Sequence, residues 1–206
     1  MKGIGVFGGT FDPIHLGHLI IAEQTRDALS LEKIIFVPNG SPPHKNYSYT
    51  DISHRLNMLK LAITDNSNFE VSEIEINKST PGYTVDMLQE LKKIIQKDIY
   101  FIIGADSLIN IKTWHQYEKL LSLANFVVFP RVLANFNETN LASNIKYLKD
   151  WIINNLTVSL DKFFFIDFPV LEISSTIVRQ KILEKRSINY LVPAKVIQYI
   201  YEENLY

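Results

Sequence analysis

Two histidines three residues apart, His15 and His18, stand directly after Gly8-Gly9-Thr10-Phe11-Asp12-Pro13. Imidazoles at that spacing share one face once a helix has begun. Three kinds of chemistry are open to such a pair: holding a metal, serving as base for a nucleophile, or donating hydrogen bonds to phosphate oxygens. A metal site lacks a third ligand at suitable spacing nearby. A nucleophile is missing too, because no Ser stands in a nucleophile elbow and the chain has no cysteine. The Gly-Gly-Thr turn favours phosphate, since the helix start behind it offers unpaired N–H groups and a positive dipole end. Gly17, between the histidines, has no side chain and would let a phosphate approach closely.

Three further groupings carry chemistry. In Ile173-Ser174-Ser175-Thr176-Ile177-Val178-Arg179, Ser174 reads as an N-cap and Ser175, Thr176 and Arg179 face one way from a helix start. Hydroxyls, free N–H groups and a guanidinium suit a polyphosphate, although a capped surface helix has the same composition. Val37 to Lys45 is a turn-rich loop at the end of a strand, with His44 and Lys45 as candidate phosphate contacts, although a rigid surface loop has the same composition. Thr80 to Asp86, including Thr84, pairs with Gly104-Ala105-Asp106-Ser107 and Lys112-Thr113-Trp114-His115. A carboxylate at Asp106 can accept from ribose hydroxyls, and Trp114 offers a face for a heteroaromatic ring, if it is not spent on core packing.

Strand-like apolar runs position these groups: 2–7, 33–37, 69–76, 98–103, 125–129 and 163–167. Helical patterns lie between and after them, near 17–29, 52–64, 84–96, 115–122, 140–155, 175–185 and 194–203. The last is expected to carry Pro193 near its first helical position. Strands alternating with helices, and apolar on both faces, predict an α/β fold: one doubly wound, mostly parallel sheet flanked by helices, with a C-terminal helical portion. The first constellation then sits where the first strand hands over to the first helix, in the crevice where such sheets bind ligands. Gly3-Ile4-Gly5-Val6-Phe7-Gly8 also matches a dinucleotide-binding fingerprint. Its first two glycines fall inside the strand, and the helix starts about eight residues after Gly8 by periodicity, so a redox-cofactor site is set aside.

The chain of 206 residues, 47% hydrophobic, suits a single domain over 1–206. With 21 Lys and Arg against 22 Asp and Glu, nothing steers it toward nucleic acid or an anionic membrane, and any anion site is local. The absence of cysteine excludes disulfides and thiolate zinc sites. No apolar run approaches the ~20 residues needed to span a bilayer. A cytoplasmic protein is the expectation. Oligomeric state stays open, a homo-oligomer included.

The pattern resembles the HxGH nucleotidylyltransferase superfamily, whose first-strand Gly-Gly-Thr-Phe-Asp-Pro-x-His-x-Gly-His turn and late Ile-Ser-Ser-Thr-x-x-Arg helix start stand unbroken at 8–18 and 173–179. Pro42-Pro43-His44-Lys45, Pro81 to Asp86, Gly104 to Ser107 and Thr113-Trp114-His115 are similar to one branch, the bacterial nicotinate-nucleotide adenylyltransferases. The likeness covers nearly the whole chain and is weakest over 131–162. It implies a Rossmann-like fold and transfer of AMP from ATP to nicotinate mononucleotide, by direct attack of the mononucleotide phosphate. On that resemblance His15, His18 and Arg179 are catalytic. Gly8, Gly9, Thr10, Gly104, Asp106, Ser175 and Thr176 join them around ATP. Lys45, Thr84, Trp114 and His115 hold the mononucleotide. No side chains form a metal site, and Mg²⁺ is carried mainly by phosphates and water. Two other readings remain: the same chemistry on nicotinamide mononucleotide or another phosphate acceptor, and a nucleotide-binding sensor without chemistry.

Overall fold

The computed structural model describes residues 2–40, 50–76, 82–129, 141–166 and 173–206. Among these, six strands form one sheet: β1 (Ile4–Gly9), β2 (Ile34–Pro38), β3 (Phe69–Val71), β4 (Ile99–Gly104), β5 (Asn125–Phe129) and β6 (Phe163–Phe165). Their order is β3-β2-β1-β4-β5-β6, and every pair is parallel. The helices are α1 (Leu16–Ala28), α2 (Ile52–Ile63), α3 (Thr84–Ile94), α4 (Ala105–Ile109), α5 (Tyr117–Leu123), α6 (Leu141–Asn155), α7 (Ser175–Leu183) and α8 (Ala194–Glu202). This is the doubly wound, Rossmann-like arrangement expected of the alternating pattern.

Period-two alternation divides the strands' side chains between two cores. Val6, Ile35, Val37, Phe101, Ile103, Phe126 and Val128 pack with α3, α4, α5 and α6. Phe7, Ile34, Phe36, Ile102, Val127 and Phe129 pack on the other face with α1, α2, α7 and α8. Both faces are covered, which is why the runs are apolar throughout rather than alternating with polar residues. From β1 the chain winds one way to β2 and β3, and from β4 the other way to β5 and β6. The carboxyl ends of the neighbours β1 and β4 therefore form the switch point of the sheet, where a ligand crevice opens.

Two local expectations change, and one element is added. The 69–76 run forms a strand only to Val71; Ser72 N still bonds Phe36 O (2.9 Å), after which a turn closes through Ile76 N to Glu73 O (3.0 Å). The apolar alternation beyond Val71 serves this turn, which buries Glu75, rather than an edge strand. The 115–122 helix starts at Tyr117, because Gln116 adopts a left-handed φ of 49°. A short helix, α4, occupies Ala105–Ile109, where the sequence pattern placed no element. Pro193 is the N-cap of α8, immediately before its first helical position, as expected. The end of the 163–167 run lies outside the described residues.

Candidate active site

The loop from β1 to α1 is built around Phe11, whose φ of 50° is left-handed and whose ring is buried against Phe7 (5.8 Å) and His18 (5.1 Å). His15 then takes an extended backbone as N-cap of α1. Its ring, 2% exposed, stacks on that of His18 at 3.6 Å and 24°. The His15 amide donates to His18 Nδ1 (3.3 Å). An Nδ1 that accepts leaves the neutral ring's proton on Nε2, so this network assigns His18 Nε2–H as a donor. A Cβ on Gly17 would stand 3.0 Å from His15 Nδ1 and 3.1 Å from Cε1. The room expected for a phosphate at Gly17 is thus taken by the His15 imidazole.

Donors from distant elements take the carbonyls of the same loop. Arg179 Nη1 donates to Asp12 O (2.5 Å), Ser175 Oγ to Pro13 O (2.9 Å) and Arg55 Nη1 to Thr10 O (2.8 Å). Carbonyls engaged in this way cannot be turned toward an anion, and a loop without them is less repulsive to phosphate. Ser174 caps α7 by accepting from Ile177 N (3.2 Å), as its position predicted, and Arg179 Nη2 reaches Thr176 Oγ1 (3.3 Å). Leu191 O accepts from Leu16 N (2.9 Å), and Tyr206 OH donates to Asp12 Oδ1 (2.7 Å). Burial first, and the Asp12 carboxylate beside it, push the Tyr206 phenol well above its ordinary value. Residues separated by more than 160 positions (Ser175 and Arg179 against Pro13 and Asp12) so form one assembly.

Two recesses open at the carboxyl ends of β1 and β4, and they share Gly8, Phe101 and Trp114. One is bounded by His18, Ile21, Gly104, Asp106, Ser107 and Phe129. A Cβ at Gly104 would meet Asp106 Oδ1 at 2.3 Å, so this glycine makes room for the carboxylate. The other is bounded by Asn39, Glu75, Gly82, Tyr83, Thr84, Met87 and His115. Its wall is aromatic: the Tyr83 and His115 rings stack at 4.3 Å and 29°, beside half-buried Trp114. The first recess offers a donor and a carboxylate near the phosphate-type loop, and the second a slot for a flat ring.

The structure brings Gly8, Gly9, Thr10, His15 and His18 together in the β1–α1 turn, with Ser175 and Arg179 from α7 against the same loop and exposed Thr176 beside Arg179. Gly104 and Asp106 fall in the first recess, Thr84 and His115 in the second, and Trp114 between them. Lys45, with His44, Thr80 and Pro81, lies outside the described residues. Sequence reasoning missed Arg55, Glu75, Tyr83 as a wall residue and Tyr206. For Arg55 a signal existed: with Met58, Leu59 and Ile63 it occupies the buried stripe of α2, where an arginine is out of place unless it has partners.

The cytidylyltransferase-like family profile matches residues 6–181. A protein of Exiguobacterium sibiricum named "Probable nicotinate-nucleotide adenylyltransferase" is 42% identical over 204 residues, spanning 98% of each chain. The chain belongs to the nicotinate-nucleotide adenylyltransferase family. A relative of the same name from Desulfitobacterium hafniense is 41% identical and covers 100% of this chain and 96% of its own. The structure of the Plasmodium falciparum nicotinic acid mononucleotide adenylyltransferase complexed with NaAD superposes with a TM-score of 0.76 at 25% identity, covering 100% of this chain and 97% of that one. In this nicotinate-nucleotide adenylyltransferase family member, no described helix is long and apolar enough to cross a membrane. Among the described residues, no group of three or more His, Cys, Asp or Glu stands ready to hold a metal ion.

Proposed function

We propose that the protein transfers the adenylyl group of ATP to nicotinate mononucleotide, forming deamido-NAD and pyrophosphate. The observation that carries this reading is the pair of recesses meeting at Gly8, Phe101 and Trp114, with His18 in one and the Tyr83, Trp114 and His115 aromatics in the other. Two ligands seated there would meet over the β1–α1 turn, where their phosphates can react.

In the transfer, a phosphate oxygen of the mononucleotide attacks the α-phosphorus of ATP. The bond from that phosphorus to the oxygen bridging to the β-phosphate breaks, and pyrophosphate leaves with the electron pair. No side chain has to become a nucleophile, so catalysis rests on positioning and on donors aimed at the developing charge. His18 Nε2–H donates to an α-phosphoryl oxygen, and His15, stacked behind it, fixes its plane and adds a second donor. Arg179 and Thr176, with the Ser175 backbone N–H at the start of α7 (its hydroxyl being given to Pro13 O), hold the β- and γ-phosphates and then the leaving pyrophosphate, while Gly8, Gly9 and Thr10 line the turn. Gly104 and Asp106 receive the ATP ribose. Trp114, Thr84 and His115 hold the nicotinate ring and carboxylate, and Lys45 the mononucleotide phosphate. The side chains gathered here are imidazoles, hydroxyls and a guanidinium with one carboxylate, a set that suits phosphate oxygens rather than a cation cage. Mg²⁺ would be held mainly by the substrates' phosphates and water rather than by these side chains, and would supply partial neutralisation of the phosphate charge. The reading places this work in the cytoplasm, in one domain over residues 1–206.

The test is incubation of the purified protein with ATP, Mg²⁺ and either mononucleotide, following pyrophosphate and the dinucleotide product. Release with the acid acceptor, at higher kcat/KM than with the amide, is the expected result. A preference for the amide would move the acceptor assignment to nicotinamide mononucleotide. ATP binding without turnover on any acceptor would leave only a nucleotide sensor.

A further inference from the structure

We infer that Arg55 is a positioning residue shared by the two substrate sites, through which filling one raises the affinity of the other. The inference rests on the adenylyltransferase reading. Arg55 is 2% exposed, on the buried stripe of α2, yet its guanidinium serves three separate stretches of backbone. Nη1 donates to Thr10 O (2.8 Å) in the turn assigned to ATP and to Asn39 O (2.9 Å) at the rim of the acceptor recess. Nη2 reaches Gly40 O (3.3 Å), and Nε reaches Thr50 O (3.0 Å) ahead of α2. One nitrogen thus holds a donor-side and an acceptor-side carbonyl at once. Asn39 N adds a direct bond to Gly9 O (2.9 Å).

The acceptor side continues the connection by close packing. A Cβ at Gly40 would lie 2.3 Å from Glu75 O, and one at Gly82 would lie 2.1 Å from Glu75 Oε2. The Glu75 turn is therefore wedged between the loop that Arg55 grips and the residue preceding Tyr83, the N-cap of α3. A shift of Thr10 toward a bound phosphate pulls on a planar fork that cannot lengthen. The fork moves Asn39 and Gly40, and these press on the wall of the acceptor recess. A buried cation must keep its carbonyl partners, because losing one exposes the full desolvation penalty. The two loops are for that reason constrained to move together. A ligand that orders one lowers the cost of ordering the other, and the effect is reciprocal. Lysine cannot substitute: its compact ammonium presents no rigid fork spanning three backbone stretches.

The experiment is calorimetric titration of nicotinate mononucleotide into the full-length protein, with and without saturating Mg²⁺ and α,β-methylene ATP, whose α–β bridge cannot be cleaved. The wild type is expected to bind the mononucleotide about five-fold or more tighter in the presence of the analogue. In Arg55→Lys each ligand still binds alone, but the ratio of affinities falls to about one. Gly40→Ala, whose methyl must displace the loop from Glu75 O, lowers the ratio. A general loss of packing would weaken each affinity without abolishing their ratio. Should Arg55→Lys not be recovered folded, Gly40→Ala decides: a reduced ratio supports the inference and an unchanged one overturns it. A wild-type ratio of one or below, or a ratio preserved in Arg55→Lys, also overturns it while leaving the adenylyltransferase reading intact. Failure of the wild type to bind either ligand overturns that reading and this inference together.

Discussion

Gly17→Ala separates catalysis from stability with opposite signs. Gly17 is the second residue of α1, buried, and a methyl there would lie 3.0 Å from His15 Nδ1 and 3.1 Å from Cε1, while Ile173 Cβ at 3.6 Å is in ordinary contact. Ordinary contact begins near 3.4 Å, so the His15 ring must yield by about 0.4 Å (3.4 minus 3.0). It is 2% exposed and stacked on His18 at 3.6 Å, so the displacement passes to the His18 donor. A misplacement of about 1 Å costs on the order of 100-fold in rate, and 0.4 Å scales on a logarithmic axis to roughly 6-fold. Alanine in place of glycine meanwhile gains at most about 1 kcal/mol in a helix, or roughly 2–4 °C in Tm for a chain of this size, less the cost of shifting the ring. Steady-state kinetics and thermal unfolding on the same preparation are expected to show kcat reduced about 6-fold, an unchanged KM for the mononucleotide, and a Tm equal to or slightly above wild type. Wild-type kcat would show that the imidazole stack does not set the rate. A Tm lowered by more than a few degrees would show that the ring does not yield and the helix is strained instead.

Removing the donor itself, in His18→Ala, should reduce kcat by about 10²- to 10³-fold with little change in the mononucleotide KM, measured by pyrophosphate release; a loss below ten-fold would assign the charge stabilisation elsewhere. Trp114→Ala removes a ring face worth about 0.5–1.5 kcal/mol, so the mononucleotide KM should rise roughly 2- to 13-fold; an unchanged KM would remove the ring from the acceptor site. Tyr206 carries a pH signature. Its phenol is held above the ordinary value of 10.0, chiefly by burial, so its contribution to stability is complete below about pH 10 and is lost as pH rises beyond it. Denaturant midpoints at pH 8 and pH 11 should therefore fall less in Tyr206→Phe than in wild type, and an equal fall in both would refute the assignment.

The sheet and the turn at its switch point were legible because their signals are local. Apolar runs such as Ile34–Pro38 and Asn125–Phe129 suit strands covered on both faces by helices, as in a doubly wound sheet. Ser174 was readable as a cap because capping involves only the next three residues. The alternation beyond Val71 misled, because whether such a run pairs as a strand depends on the neighbours the chain meets later. His115 was placed inside a helix that begins after it, since one left-handed residue, Gln116, shifts the start.

By itself the sequence determined the alternation of the sheet's strands with the longer helices, the switch-point turn with His15 and His18, and the capped helix start within 173–179, because residue type and short spacing carry that information. Only the tertiary structure decided what each group faces. Gly17 serves the His15 ring, Arg179 and Ser175 brace the carbonyls of Asp12 and Pro13, and Arg55 holds Thr10, Asn39 and Gly40 at once. These contacts join residues that lie up to 167 positions apart, and a guanidinium selects its carbonyls by where packing of the two cores sets the backbone.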